Sequence, residues 1–209
     1  MARPKYSDEA VSDRIDMILT AALTILESEG SIEAVTLRKT AKLLGQSYTA
    51  LYRYFNNKAD LVVALRTRAY RRMEETLLAS QEDQQSSLEN LHALTQAYID
   101  RGLKRPALYR LMFFEFEDEE NSQYFDALID AKRDCLNVCT QVVTEAQEDG
   151  SLRRNIDPLT GAHIFWTNAH GLVSLEIGNQ LVMGRKINIL RDVIIQNVLI
   201  GLNNMKTGL

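Results

Sequence analysis

The chain has 209 residues, 45% of them hydrophobic and 25% charged, with 24 basic and 28 acidic side chains and a formal net charge of −4. That is the ordinary balance of a soluble globular protein, long enough for one large domain or one large and one small. No run approaches the roughly 18 apolar residues of a membrane span, and no charged-then-apolar leader opens the chain, so a cytoplasmic protein with no membrane partner is expected.

The charge is unevenly spread. Residues 1–79 carry 12 basic and 10 acidic side chains, whereas residues 80–209 carry 12 and 18. Within 38–72 the bias sharpens to Arg38, Lys39, Lys42, Arg53, Lys58, Arg66, Arg68, Arg71 and Arg72 against Asp60 alone. Such a cluster on an acidic protein is the footprint of a polyanion-binding face, and a solvated helix surface is the plainer alternative.

Only 3 prolines and 10 glycines occur, and no alternating strand pattern is present, so the fold class is all-α with about nine helices. Ile15, Ile18, Leu19, Ala22, Leu23 and Leu26 form an apolar stripe at helical spacing that stops at Gly30. Thr36 is an N-cap for a short second helix with Leu37, Ala41 and Leu44, ended by Gly45. Ser47 opens a very short third helix through Leu51 and Phe55, and Asn57 caps a long fourth one. Three helices in about 45 residues, the second and third joined by a tight turn, form a helix-turn-helix.

The polar segment 80–87 separates this unit from the rest. Leu88, Leu91, Thr95 and Tyr98 precede Gly102, and Pro106 opens "ALYRLMFFEF". The acidic run 117–122 reads as an exposed loop, and a long helix then runs to Gly150. Asp157-Pro158 starts another, expected to reach about Met183, and a final helix covers about 187–205. Leu159, Ala162 or His163, Trp166, His170, Val173, Ile177 and Leu181 make one stripe of the penultimate helix, and the small residues Gly171, Ser174 and Gly178 make another. The last helix has 10 large apolar residues in the 16 of "INILRDVIIQNVLIGL", too many for one wetted side. Symmetric pairing of subunits through these two helices is expected, with a helix buried inside a monomer as the alternative.

"GQSYTALYRYF" (45–55) crowds three tyrosines and an arginine beside the turn. On a helix beginning near Ser47, Leu51 and Phe55 share a face and anchor the core. Tyr48, Thr49, Tyr52 and Arg53 then lie on other faces, a mix that suits a recognition helix. Ser47 and the first amides suit a phosphate, Thr49 and Ala50 are small enough to approach base edges, and tyrosine hydroxyls and Arg53 reach phosphate or guanine. Lys58 adds a second phosphate clamp.

At this point the residues carry a resemblance. "TLRKTAKLLGQSYTALYRYFNNKADLVVAL" (36–65), through Thr36, Ala41, Gly45, Leu51, Tyr52, Tyr54, Phe55 and Lys58, resembles the DNA-binding head of the TetR family of bacterial transcription regulators. The resemblance implies a head over residues 1–57, a linking helix over about 57–79, and an all-helical effector-binding and dimerisation domain over 80–209. It places Arg38 and Lys39 in the supporting helix, makes Thr36 and Ser47 backbone-contacting caps, puts Tyr48, Thr49 and Ala50 where bases are read, and matches Tyr52 and Lys58 to phosphate contacts. Thr40 stands where Ile or Val is commoner, and Tyr48 is bulky for its position. "FWTNAHGLVSLEIGNQL" (165–181), through Trp166, His170 and Gly171, resembles the Trp-His-Gly type of TetR ligand-binding domain.

Enzymatic chemistry finds no footing. His163 and His170 lie two helical turns apart with no further ligands at close spacing, so neither a metal nor a cofactor is expected, and no phosphate loop, nucleophile elbow or paired-carboxylate motif appears. Cys135 and Cys139, four apart on one helix, read as buried hydrophobes, with thiol sensing or a metal as the alternative. Tyr98, Tyr109, Met112, Phe113, Phe116, Trp166 and His170 are candidates to line a pocket for an apolar effector, with plain core as the alternative. The expectation is a homodimer on a palindromic operator in double-stranded DNA, a repressor released by a small molecule.

Overall fold

The first helix, α1 (Asp8–Glu29), begins where the Ser7 hydroxyl accepts from the Ala10 amide and ends at Gly30, whose φ of 68° is the left-handed conformation glycine adopts without strain. A 3-10 turn at Ile32–Ala34 leads to α2 (Leu37–Leu43), capped by the Thr36 hydroxyl on the Lys39 amide. The short α3 (Tyr48–Leu51) follows, and α4 (Lys58–Leu78) is capped by the Asn57 side chain on the Asp60 amide. The starts of α2, α3 and α4 agree with the cap residues read from the sequence, but α3 ends at Leu51 instead of running through Phe55, which follows a turn and whose amide still donates to the Leu51 carbonyl. The computed structural model describes residues 7–82, 85–113, 118–154, 156–184 and 186–204.

A capping box of Ser86 and Glu89 opens α5 (Ser87–Lys104). After α6 (Pro106–Phe113) and a 3-10 turn at Glu119–Asn121 comes α7 (Phe125–Glu148). Asp157 and Pro158 open α8 (Pro158–Ile177), and α9 is Ile187–Asn204. Among the described residues the fold is all-α, nine α-helices with no strand. None of these helices is long and apolar enough to cross a membrane.

Two departures from the sequence reading concern the later segments. The penultimate helix stops at Ile177 instead of continuing to about Met183. Asn179 takes a left-handed φ of 54° and the Gln180 amide turns back to the Leu175 carbonyl, which closes the helix end. The 117–122 run is not simply an exposed loop. Glu117 lies outside the described residues, but Glu119 pairs with Arg66 and Ser122 is buried.

The chain divides into two compact units, Met1–Ala69 with Ala107–Ile129, and Tyr70–Pro106 with Asp130–Leu209. Residues 107–129 are thus grouped with the head. The core of the first unit holds Ile18, Ala22, Leu26, Val35, Leu51, Phe55, Leu61 and Leu65, all fully or nearly fully buried. The second unit packs α8 against α5 and α9 around Leu91, Ile99, Val142, Ala146, Ala162, Phe165, Val173 and Ile195. At Gly161 the packing is tight, since a Cβ there would stand 3.0 Å from Val143 Cγ1. The Gly171 position faces open space. The last helix buries Ile195, Val198 and Leu202 while Ile189, Val193 and Ile200 stay exposed, so α9 is not buried all round.

Candidate nucleic-acid interface

The turn between α2 and α3 is set by Gly45, at φ 64°, and by the Gln46 amide donating to the Ala41 carbonyl at 2.9 Å. Leu51 and Phe55 are fully buried, which fixes the orientation of so short a helix from below. Thr40, in the core, is satisfied by donating its hydroxyl to the Thr36 carbonyl at 2.9 Å. With the inner face thus occupied, Tyr48 and Tyr52 are forced outward and are 42% and 40% exposed. Their rings meet edge-to-face at 4.7 Å and their hydroxyls are hydrogen-bonded to each other, which raises the Tyr52 phenol above its ordinary value. The two rings form a contacting pair on the protein surface.

The remaining expected contacts are placed as follows. Thr36 caps α2, and Arg38 is exposed. Lys39 is exposed but donates to both carboxylate oxygens of Glu29 at 2.8 Å. Ser47 occupies the N-cap position of α3 without a cap bond, and its hydroxyl pairs with that of Thr49 at 3.2 Å. Thr49 and Arg53 are exposed, Ala50 is half-buried, and Lys58 is half-buried with its ammonium 3.5 Å from the Glu33 carbonyl. Six of the ten expected residues therefore lie on or beside α3, and Thr36, Arg38 and Lys39 stand on the adjoining start of α2.

The basic run 38–72 contributes less to this face than its count implied. Arg66 is buried, donating to the Met112 carbonyl at 3.0 Å and pairing with Glu119. Arg68 donates to the Asp16 carbonyl at 2.9 Å, and Arg71 reaches Glu74 and Asp134. These three arginines hold helices together, which a one-dimensional charge count cannot distinguish from a polyanion footprint.

The seven side chains expected to line an effector pocket are distributed over both units. Tyr109, Met112 and Phe113 belong to the first unit, where the Tyr109 and Phe113 rings lie 4.7 Å apart; Phe116 lies outside the described residues. Tyr98, Trp166 and His170 belong to the second and form a hydrogen-bonded chain. The Trp166 indole donates to the Tyr98 hydroxyl at 3.1 Å, that hydroxyl stands 3.4 Å from His170 Nδ1, and His170 Nε2 stands 3.2 Å from the Ser174 hydroxyl. A neutral imidazole carrying its proton on Nε2 completes the chain, and burial moves the His170 pKa below its ordinary value. A separate cavity of about 210 Å³ in the first unit is lined by Leu26, Ile32, Val62, Ala107 and Leu111 with Arg66 and Arg110, and by none of the seven. Among the described residues no cluster of three His, Cys, Asp or Glu side chains could hold a metal.

Sequence reasoning missed Asp60. It is buried and accepts four hydrogen bonds, from the Asn56 amide (2.9 Å), the Ser122 hydroxyl (2.8 Å), the Gln123 amide (3.2 Å) and the Gln123 side chain (2.8 Å). Burial pushes its carboxyl upward, but these donors outweigh it and hold it below the ordinary value. The signal was present, as Asp60 is the one acid among nine bases in 38–72.

Among the described residues, a helix-turn-helix with an exposed, aromatic-rich short helix on an all-helical fold is an arrangement that suits a DNA-binding regulator of transcription. The family model for bacterial regulatory proteins of the tetR family matches residues 18–65, and the model for the tetracyclin repressor-like C-terminal domain matches residues 91–198. The chain belongs to the TetR family. The nucleoid occlusion factor SlmA of Haemophilus influenzae is 33% identical over 136 residues, which are 60% of this chain and 61% of that protein. The chain therefore spans less than two thirds of that relative. A protein of unknown function from Rhodococcus sp. RHA1 shares the fold at a TM-score of 0.78 and 22% identity, over 91% of this chain and 95% of that one. The fatty acid degradation regulator FadR from Bacillus halodurans does so at 0.72 and 17%, over 94% and 97%.

Proposed function

We propose that the protein is a repressor that binds a palindromic operator as a homodimer and is released by a small apolar effector. In this reading residues 1–57 act as the head and residues 80–209, a domain of the Trp-His-Gly type, as the effector-binding and dimerisation body. The observation that carries it is the outer face of α3, where Tyr48, Thr49, Tyr52 and Arg53 stand exposed over the buried Leu51 and Phe55. Two such helices enter successive major grooves about 34–36 Å apart. Thr49 and Ala50 read base edges, while Tyr52, Arg38 and Lys58 contact phosphates. The exposed Leu175, Ile189, Val193 and Ile200 on α8 and α9 support pairing of two chains through those helices.

Release needs only an effector with unequal affinity for two states of the dimer. Moving an equilibrium from 1:99 to 99:1 takes about 5.5 kcal/mol of differential binding. Of the seven expected pocket residues, Tyr98, Trp166 and His170, joined by hydrogen bonds within the second unit, are the side chains proposed to meet the effector.

A second reading is favoured by the 33% identity to a nucleoid occlusion factor. In that reading the protein acts on the nucleoid as a whole instead of at one operator. Selecting fragments of the source genome with purified protein separates the two, since a repressor recovers one or a few palindromes next to genes and the second reading recovers sites spread across the chromosome. Recovery of no sequence preference contradicts both.

A further inference from the structure

The residues that leave α3 and enter α4 are held by a segment far along the chain. Tyr124 donates its hydroxyl to the Tyr54 carbonyl at 2.9 Å, and the Gln123 side-chain amide donates to the same carbonyl at 3.2 Å. Gln123 also donates to Asp60 through both its backbone and side-chain amides, and Ser122 adds its hydroxyl to the same carboxylate. The Tyr124 ring packs on Phe55 at 5.4 Å, the side chain that anchors α3 from below. All these residues lie in the first compact unit.

The carboxylate of Asp60 is the hub. Its Oδ1 accepts from Ser122 Oγ and the Gln123 amide, and its Oδ2 from the Asn56 amide and Gln123 Nε2. A buried charge satisfied in this way is costly to strip, because removing its donors leaves it without compensation. The Glu119–Arg66 pair, itself mostly buried, holds the start of the same segment against α4. Residues 119–124 thus cannot shift without either carrying the α3–α4 corner with them or breaking bonds to a buried carboxylate.

We propose that Ser122, Gln123 and Tyr124 are positioning residues for DNA binding, gripping Tyr54 and Asp60 so that the outer face of α3 is presented at one fixed angle. This role rests on the reading of that face as the DNA contact. It lies outside residues 1–57, and it makes the 119–124 segment one route by which a rearrangement of residues 107–129 reaches α3.

The test uses the full-length protein, with the double variant Gln123→Ala/Tyr124→Phe and, separately, Asp60→Asn, which keeps the shape of the side chain but faces donors with an amide. Two quantities are measured: amide hydrogen exchange over residues 48–57 and over the α1 core, and affinity for a duplex selected by the wild type relative to a random-sequence duplex of equal length. The grip predicts exchange faster by about tenfold in 48–57, the loss expected for one or two hydrogen bonds of ordinary net strength, with α1 unchanged. It also predicts a fall in the ratio of selected to random affinity, because non-specific electrostatic binding needs no fixed angle. An unchanged ratio overturns the proposal whether or not exchange rises, since the grip would then only stabilise the corner. A wild type without sequence preference is seen before any variant is made; it overturns the regulator reading and the proposal with it.

Discussion

Cys135 and Cys139 sit one turn apart on α7, and burial pushes both thiols up to about 12, with Glu74 adding to the first and Cys135 to the second. At pH 8 a thiol with that value is ionised to about one part in ten thousand. Native protein should therefore resist iodoacetamide at pH 8 while protein unfolded in guanidinium takes up two equivalents, and rapid labelling of the native chain would contradict the placement. His170 has the opposite chemistry and a physiological range. Its folded-state pKa lies below the ordinary 6.5 because burial disfavours the imidazolium. The unfolded chain then binds the extra proton more readily, so stability is complete above about 6.5 and is lost as pH falls below it. Protonation also puts a donor on Nδ1 facing the Tyr98 hydroxyl, which already accepts from Trp166. Thermal unfolding between pH 8 and 5.5 should show a decline in the wild type that His170→Gln reduces, and parallel profiles would remove His170 from the network.

At the scale of elements, two glycines of α8 make opposite predictions. A methyl at Gly161 meets Val143 Cγ1 at 3.0 Å and Ile156 Cδ1 at 3.5 Å, so Gly161→Ala should destabilise by about 1 kcal/mol through overpacking. At Gly171 the space is open, so Gly171→Ala should stabilise the lone chain by about 0.5–1 kcal/mol through the unfolded state. If α8 pairs with its copy in a second subunit, the same substitution weakens association, and urea titration beside sedimentation separates the two effects. These helices also show how far the sequence could be read. The caps at Asn57, Asp157 and Thr36, and the stop at Gly30, are local chemistry, and they stand where the residue types put them, whereas Ser47 takes the N-cap position of α3 without a cap bond. The end of α8 was misplaced because Asn179 adopts a left-handed backbone, and no apolar periodicity reports that. The burial of Leu51 and Phe55 beneath exposed Tyr48 and Tyr52 was legible from spacing alone. The roles of Arg66, Arg68 and Arg71 were not, since their partners Glu119, Asp16 and Asp134 lie 53, 52 and 63 residues away in sequence.

For the whole molecule the question is whether the exposed face of α3 reads bases. Arg38→Ala and Tyr52→Phe should weaken binding to all sequences alike. Arg38→Ala should also flatten the salt dependence by about one unit of slope, because one phosphate is no longer neutralised. Thr49→Ala should instead alter the preferred sequence, and equal losses on every duplex would remove it from base reading. The most direct single measurement is selection of genomic fragments by purified full-length protein across a range of salt. Recovery of a palindrome whose half-sites lie about one helical turn apart is the predicted result. Weak binding that vanishes steeply with salt and prefers no sequence would contradict it, leaving α3 an electrostatic platform and not a recognition helix.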